Sequence, residues 1–225
     1  MTVTERRGVP EPTFRDRARA SVEPVARTFG RLGLTPNALT VIGFGIAVVA
    51  AWQAAIQVWL PAGLLVATGA VFDLLDGALA RATNRTSRLG AFMDSVFDRA
   101  GEAIVYLGIS AGLFASGLPG MALLPIAAMA AAFMVSYTRA RAEGLGFDSG
   151  RGMASVGLAP REVRTVFVVL GLVLTGLAGG VGSLNFPNAT GSTAMTVSLG
   201  LITILATITT IQRIVHVYLQ AKKEQ

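Results

Sequence analysis

Long apolar runs separated by short polar stretches dominate this chain. Six runs are long enough, at about 20 residues each, to cross a hydrocarbon core about 30 Å thick. They cover approximately 37–58, 61–83, 90–116, 119–142, 161–181 and 192–218. Pro61 and Pro119 mark the openings of the second and fourth runs, as expected for proline in a first helical turn. Gly, Ala and Ser recur throughout and suit close helix packing in lipid. The pattern predicts an all-α integral membrane protein with six transmembrane helices. An arm over 1–36, a six-helix domain over 37–218 and a short tail over 219–225 would make up the chain.

Composition agrees. Charged residues make up 14% of the 225 positions, against about 25% in a soluble domain. No cysteine is present, which excludes a disulfide framework and a thiolate metal site. Residues 1–35 are polar and Arg-rich, without the apolar core of a signal peptide, so no cleaved leader is expected. Stretch 13–28 is basic and predicts either an interfacial helix on the inner leaflet or a loose arm, with Pro24 interrupting its apolar face.

The basic residues fix the expected orientation. All 19 Lys and Arg lie before residue 36, around the second-to-third and fourth-to-fifth connections, or at the end of the sixth run. The connections near 59–62, 116–120 and 180–192 contain none. The positive-inside rule then places both termini in the cytoplasm of a multi-pass protein of the cell membrane. It also accounts for the net charge of +6 without any nucleic-acid partner.

Against this background, Asp73, Asp76, Asp94, Asp98 and Glu102 stand out inside the second and third runs. An ionised group costs about 2.5–3.5 kcal/mol at a helix centre, so such residues mark function. Asp73, Asp76, Gly77, Ala80 and Arg81 share one helical face. Gly90, Asp94, Asp98 and Glu102 share a face of the next helix. At ~1.5 Å per residue both aspartate pairs reach a similar depth, about 10 Å below the cytoplasmic surface. Four carboxylates cannot all stay ionised there without cations. Arg81, Arg85, Arg88 and Arg99 could neutralise part of that charge. The alternative is a pair of divalent ions, and oxygen ligands without His or Cys suit Mg²⁺, Mn²⁺ or Ca²⁺. Paired metals in turn suit displacement at phosphorus.

The string Asp73-x2-Asp76-Gly77-x2-Ala80-Arg81-x8-Gly90-x3-Asp94-x3-Asp98 resembles the signature of the CDP-alcohol phosphotransferase family. The resemblance implies a membrane enzyme that moves a phosphatidyl-type group from CDP-diacylglycerol, or a similar CDP-lipid, to an alcohol, releasing CMP. It implies Asp73, Asp76, Asp94 and Asp98 as ligands of two Mg²⁺ ions, Mn²⁺ being possible, with Asp98 also the general base. Gly77 would admit the nucleotide, Arg81 and Ser87 would contact the CDP moiety, and Asn37 and Thr40 would border it. A plain alternative for "LTPNALT" (34–40) is helix capping by Thr35 or Asn37 ahead of Pro36. Arg139, Arg161, Arg164 and Arg213 resemble the arginines with which the phosphatidylinositol-phosphate synthase branch grips the phosphate of inositol phosphate. Arg139 stands where Lys is common, and Pro160 and Val163 where acidic residues are common. An anionic acceptor would need such a set, since Arg binds phosphate bidentately. Phosphatidylglycerol-phosphate synthase, using glycerol 3-phosphate, is the second reading, and an ether-lipid donor would use the same head chemistry. The family also implies a homodimer.

Outside that scheme stands a cation transporter with an acidic pathway, which the Gly77/Arg81 pattern and the arginine set disfavour. An aspartate-rich prenyl transferase lacks support, because its repeated acid-rich motifs are missing. His216 reads as an interfacial or packing residue. Asn188-Ala189-Thr190 fits a glycosylation sequon by three residues only. Trp52 and Trp59 are expected at the outer interface.

Overall fold

The computed structural model describes residues 24–25, 28–147, 156–181 and 189–223. Every regular element among them is helical. Six long helices follow one another: α1 (Pro36–Ala55), α2 (Trp59–Ala82), α3 (Arg88–Ala115), α4 (Leu123–Gly144), α5 (Arg161–Leu177) and α6 (Ala189–Ala221). Of the arm, 24–25 and 28–31 are helical. The rest of the 13–28 stretch, and Asn188 of the sequon, lie outside the described residues.

Local chemistry explains where the helices start and stop. Thr35 caps α1, its Oγ1 accepting from Ala38 N at 3.2 Å, with Pro36 in the first helical position. Ser87 caps α3 in the same way, accepting from Gly90 N at 2.9 Å. The turns after α1 and α2 use the left-handed region at Gln57 (φ 65°) and Asn84 (φ 51°). The fourth helix begins four residues later than the hydropathy pattern predicts. Residues 119–122 form a turn, with Ser110 Oγ donating to Ala122 O at 2.8 Å. The fifth helix ends at Leu177 rather than near 181, because Gly179 (φ 85°) and Gly180 (φ 103°) turn the chain away.

Each helix packs on two others, in the order α1–α3–α4–α6–α5–α2 and back to α1, which closes a ring. Small residues set the tightest approaches. A Cβ on Gly108 would lie 2.7 Å from the Ala51 Cα, and one on Gly112 would lie 2.7 Å from Trp59 Cη2. Trp59 is therefore 3% exposed and belongs to the core, contrary to its expected interfacial place, whereas Trp52 is open. The main core joins Ala50, Tyr106, Ile109, Leu113, Leu172 and Leu199. A smaller one ties Phe29 and Leu34, just before α1, to Leu75 and Leu79 of α2. Apolar side chains such as Phe92, Leu107, Phe114, Leu170 and Ile204 face outward, as lipid-facing positions do.

Four helices are long and apolar enough to cross a membrane by length and composition: α1, α2, α4 and the Thr190–Ala221 stretch of α6. Two expected spans, α3 and α5, fall short on those measures. The 28-residue α3 carries Arg88, Asp94, Asp98, Arg99 and Glu102, and the 17-residue α5 opens on Arg161, Glu162 and Arg164. Both nevertheless are full members of the ring. The chain is a multi-pass membrane protein whose charged helices face inward.

Candidate active site

The acidic faces of α2 and α3 meet inside the ring. Asp76 is 5% exposed and accepts a 2.8 Å hydrogen bond from Thr40 Oγ1 of α1. It lies within electrostatic reach of Asp73 and Asp94. Asp98 in turn feels both Asp73 and Asp94. All four aspartates thus share one locality, as the helical spacing predicts. Phe44 and Phe97, with ring centroids 5.1 Å apart, pack between α1 and α3 beside a cavity that Asp73 and Asp98 also line.

A cation already stands between two of these carboxylates. Arg161, the first residue of α5, places Nη2 2.6 Å from Asp73 Oδ2 and Nη1 2.7 Å from Asp98 Oδ1. Among the described residues, no three His, Cys, Asp or Glu side chains are placed together closely enough to hold a metal ion. The donor chemistry, carboxylate oxygen without His or Cys, is nonetheless of the kind a hard divalent ion takes. The donors are carboxylate oxygens, two of them turn toward a single positive group, and two more lie close by.

The residues expected on the nucleotide side lie toward the start of α1, the second half of α2 and the start of α3. A Cβ on Gly77 would lie 3.3 Å from Arg81 Nη1, so the bare glycine leaves room for the exposed Arg81 head over α2. A Cβ on Gly90 would lie 3.3 Å from Asn37 Oδ1 and 3.1 Å from Ser87 Oγ. Asn37 and Ser87 therefore adjoin at the start of α3. Thr40, expected at the border of the nucleotide, is 7% exposed and committed to Asp76. Within 34–40 the cap is Thr35, while Asn37 faces Gly90.

The four expected acceptor arginines divide into two kinds. Arg139 is exposed and pairs with Glu143 at 2.8 Å, and Arg161 is partly open beside the aspartates. Arg164 and Arg213 are buried, 1% and 4% exposed. Arg164 donates twice to Glu102 and, through Nη1, to Ala159 O at 2.9 Å. Arg213 donates from Nε to Val156 O at 3.0 Å and from Nη1 to Val135 O. Thr209, one turn before Arg213, accepts from Leu158 N and Ala159 N at 3.0 and 2.9 Å. Sequence reasoning gave Thr209 no role and Glu102 no partner. These bonds tie segment 156–159 down and aim the start of α5, hence Arg161, at the aspartates. Arg213 also feels the charges of Arg139, Arg164 and Arg99, so the positive set is contiguous.

A family model described as CDP-alcohol phosphatidyltransferase matches residues 33–218. Archaetidylinositol phosphate synthase of Pyrococcus horikoshii is 36% identical over 169 residues, covering 75% of this chain and 85% of that protein. Phosphatidylinositol phosphate synthase of Cutibacterium acnes is 36% identical over 201 residues, 87% of this chain and 91% of that one. The crystal structure of Mycobacterium tuberculosis phosphatidylinositol phosphate synthase with CDP-DAG bound aligns with a TM-score of 0.72 at 27% identity. That alignment covers 88% of this chain and 93% of the mycobacterial one. The same mycobacterial enzyme in complex with manganese and citrate also aligns with a TM-score of 0.72, at 26% identity and 88% coverage of both chains. With its aspartates gathered from α2 and α3 and this likeness running through the helical domain, the chain belongs to the CDP-alcohol phosphatidyltransferase family.

Proposed function

We propose that the protein transfers a phosphatidyl-type group from CDP-diacylglycerol, or a CDP-lipid like it, to a hydroxyl of inositol phosphate, releasing CMP. The observation that carries this reading is the apposition of two charge sets. Asp73 and Asp98 pair with Arg161, Asp94 lies within its electrostatic reach and Asp76 within that of Asp73 and Asp94, while Arg164, Arg213 and Arg139 continue the positive set. The names of the relatives point the same way, toward inositol phosphate as acceptor. One of them is an archaetidyl enzyme, which keeps ether as well as ester donors in view.

Asp73, Asp76, Asp94 and Asp98 would hold Mg²⁺, two ions by charge balance, with Mn²⁺ an acceptable substitute. Bound there, the ions would neutralise the diphosphate and the charge developing on CMP. Asp98 takes the proton of the incoming hydroxyl. The alcohol oxygen then bonds to the lipid-bearing phosphorus as the bond from that phosphorus to the CMP oxygen breaks. CMP leaves with the bonding electrons. Arg81, lying over Gly77, together with Asn37 and Ser87, cradles the cytidine side. Thr40 keeps the Asp76 carboxylate oriented. Arg161 and Arg139 are the arginines open enough to meet an acceptor phosphate, while Arg164 and Arg213 hold the segment that aims Arg161.

The lipid chains stay in the bilayer while the headgroups react near the cytoplasmic ends of the helices. This reading has six spans, both termini in the cytoplasm, the cell membrane as location and a homodimer as assembly. The test is CMP release from CDP-diacylglycerol and Mg²⁺ with inositol phosphate, glycerol 3-phosphate and free inositol offered separately. Inositol phosphate should be the only good acceptor. Turnover with glycerol 3-phosphate alone would make the protein a phosphatidylglycerol-phosphate synthase, and loss of all CMP release would reopen the transporter reading.

A further inference from the structure

We propose that Arg161 is a resident counter-cation that divalent metal displaces, so that metal loading releases the guanidinium to bind the acceptor phosphate. This rests on the reading of the aspartates as metal ligands and adds an order of events to it. The guanidinium bridges Asp73 and Asp98 at 2.6 and 2.7 Å and pairs with both carboxylates. Those two carboxylates are among the four that would hold the metal. A guanidinium and a divalent ion cannot share them, because like charges a few ångströms apart repel strongly where water is scarce.

The fold lets one arginine move and locks the next. Arg161 is the first residue of α5, and its side chain keeps 29% exposure. Arg164, one turn further on, is gripped by Glu102 and Ala159 O. The helix start therefore stays in place while the Arg161 side chain swings. Where it stands, Arg161 is already within electrostatic reach of Arg99 and Glu102, and Arg99 is within that of Arg164, so positive charge surrounds the space into which the side chain would swing. A phosphate is a fitting new partner there. The acceptor site would then form fully only after metal binds, which keeps inositol phosphate from competing for an unloaded centre.

The experiment uses full-length protein in detergent or nanodiscs, stripped of divalent ions and free of CDP-lipid. Mn²⁺ binding is followed by the paramagnetic resonance of the free ion for wild type, Arg161→Gln, Arg161→Lys and Asp73→Asn. Inositol phosphate binding is followed by calorimetry with and without Mn²⁺. Arg161→Gln should bind Mn²⁺ about ten- to hundredfold tighter, since charge-assisted hydrogen bonds no longer have to be broken. Arg161→Lys should fall between. Wild type should bind inositol phosphate at least about tenfold tighter with Mn²⁺ than without, and Arg161→Gln should lose that coupling. Unchanged or weaker Mn²⁺ binding by Arg161→Gln overturns the proposal, as does equal inositol phosphate binding in both metal states. The underlying reading fails separately, and shows itself differently. Asp73→Asn would then bind Mn²⁺ as wild type does. If coupling appears with glycerol 3-phosphate instead of inositol phosphate, the exchange stands and the acceptor assignment falls.

Discussion

Glu102 and Arg164 meet as a two-pronged pair across the interior of the ring, Nε to Oε1 at 2.8 Å and Nη2 to Oε2 at 2.9 Å. Their helices, α3 and α5, are not neighbours in the ring, so this pair is a strut through its middle. Arg99 adds a third contact, Nη1 to Glu102 Oε2 at 3.1 Å. Removing one member of such a buried pair leaves the other charged and unsatisfied, a loss of about 3–5 kcal/mol. Glu102→Gln should therefore lower the unfolding temperature markedly in detergent. Glu102→Leu combined with Arg164→Met should recover much of that loss. A Glu102→Gln protein as heat-stable as wild type would remove the strut from the account.

Thr40 offers a second test. Its hydroxyl donates to Asp76 Oδ2 at 2.8 Å from a neighbouring helix, fixing which way that carboxylate points. Partners that orient metal ligands are worth about 10–100-fold in affinity. Thr40→Val should weaken Mn²⁺ binding by roughly tenfold, whereas Thr40→Ser should retain it. Equal affinities for Val and Ser would mean that Asp76 is held by its helix alone.

How far the sequence reveals this site depends on distance along the chain. The facing of Asp73 with Asp76, and of Asp94 with Asp98, follows from helical periodicity. The helix starts at Pro36 and Arg88 follow from Thr35 and Ser87, which bond three residues ahead. Nothing local joins Arg164 to Glu102, Thr209 to Ala159, or Arg213 to Val135, because those partners meet only once the ring closes. An arginine near a membrane boundary reads alike whether it waits for a phosphate or clamps a carbonyl. Trp59 shows the same limit. Its place just past the first apolar run suggests an interface, yet the bare surface at Gly112 gives its ring a buried seat.

The glycines between α1 and α3 give a prediction about packing alone. A Cβ on Gly108 would run into the Ala51 carbonyl, and backbone cannot step aside as a flexible side chain can. Gly108→Ala should cost about 1–3 kcal/mol or more of stability. Gly120→Ala is the control, because nothing lies within 4 Å of a Cβ built there. Thermal unfolding should separate the two variants clearly, and matching curves would mean that α1 and α3 are further apart than described.

Asp98 carries the most specific chemical prediction, because two roles are proposed for one carboxylate. As the proposed base it would remove a proton during turnover, worth typically 10²–10⁴-fold in rate. As a ligand it would only help to hold metal. Asp98→Asn keeps the size and one oxygen donor but cannot take the proton. It should lower kcat at least about a hundredfold, while affinity for the CDP-lipid changes far less. The decisive arm is metal concentration. Raising Mn²⁺ until binding by Asp98→Asn is saturated should leave the rate low, since occupancy does not restore a base. Recovery of wild-type turnover under saturating Mn²⁺ would make Asp98 a ligand only and would move the proton to another acceptor.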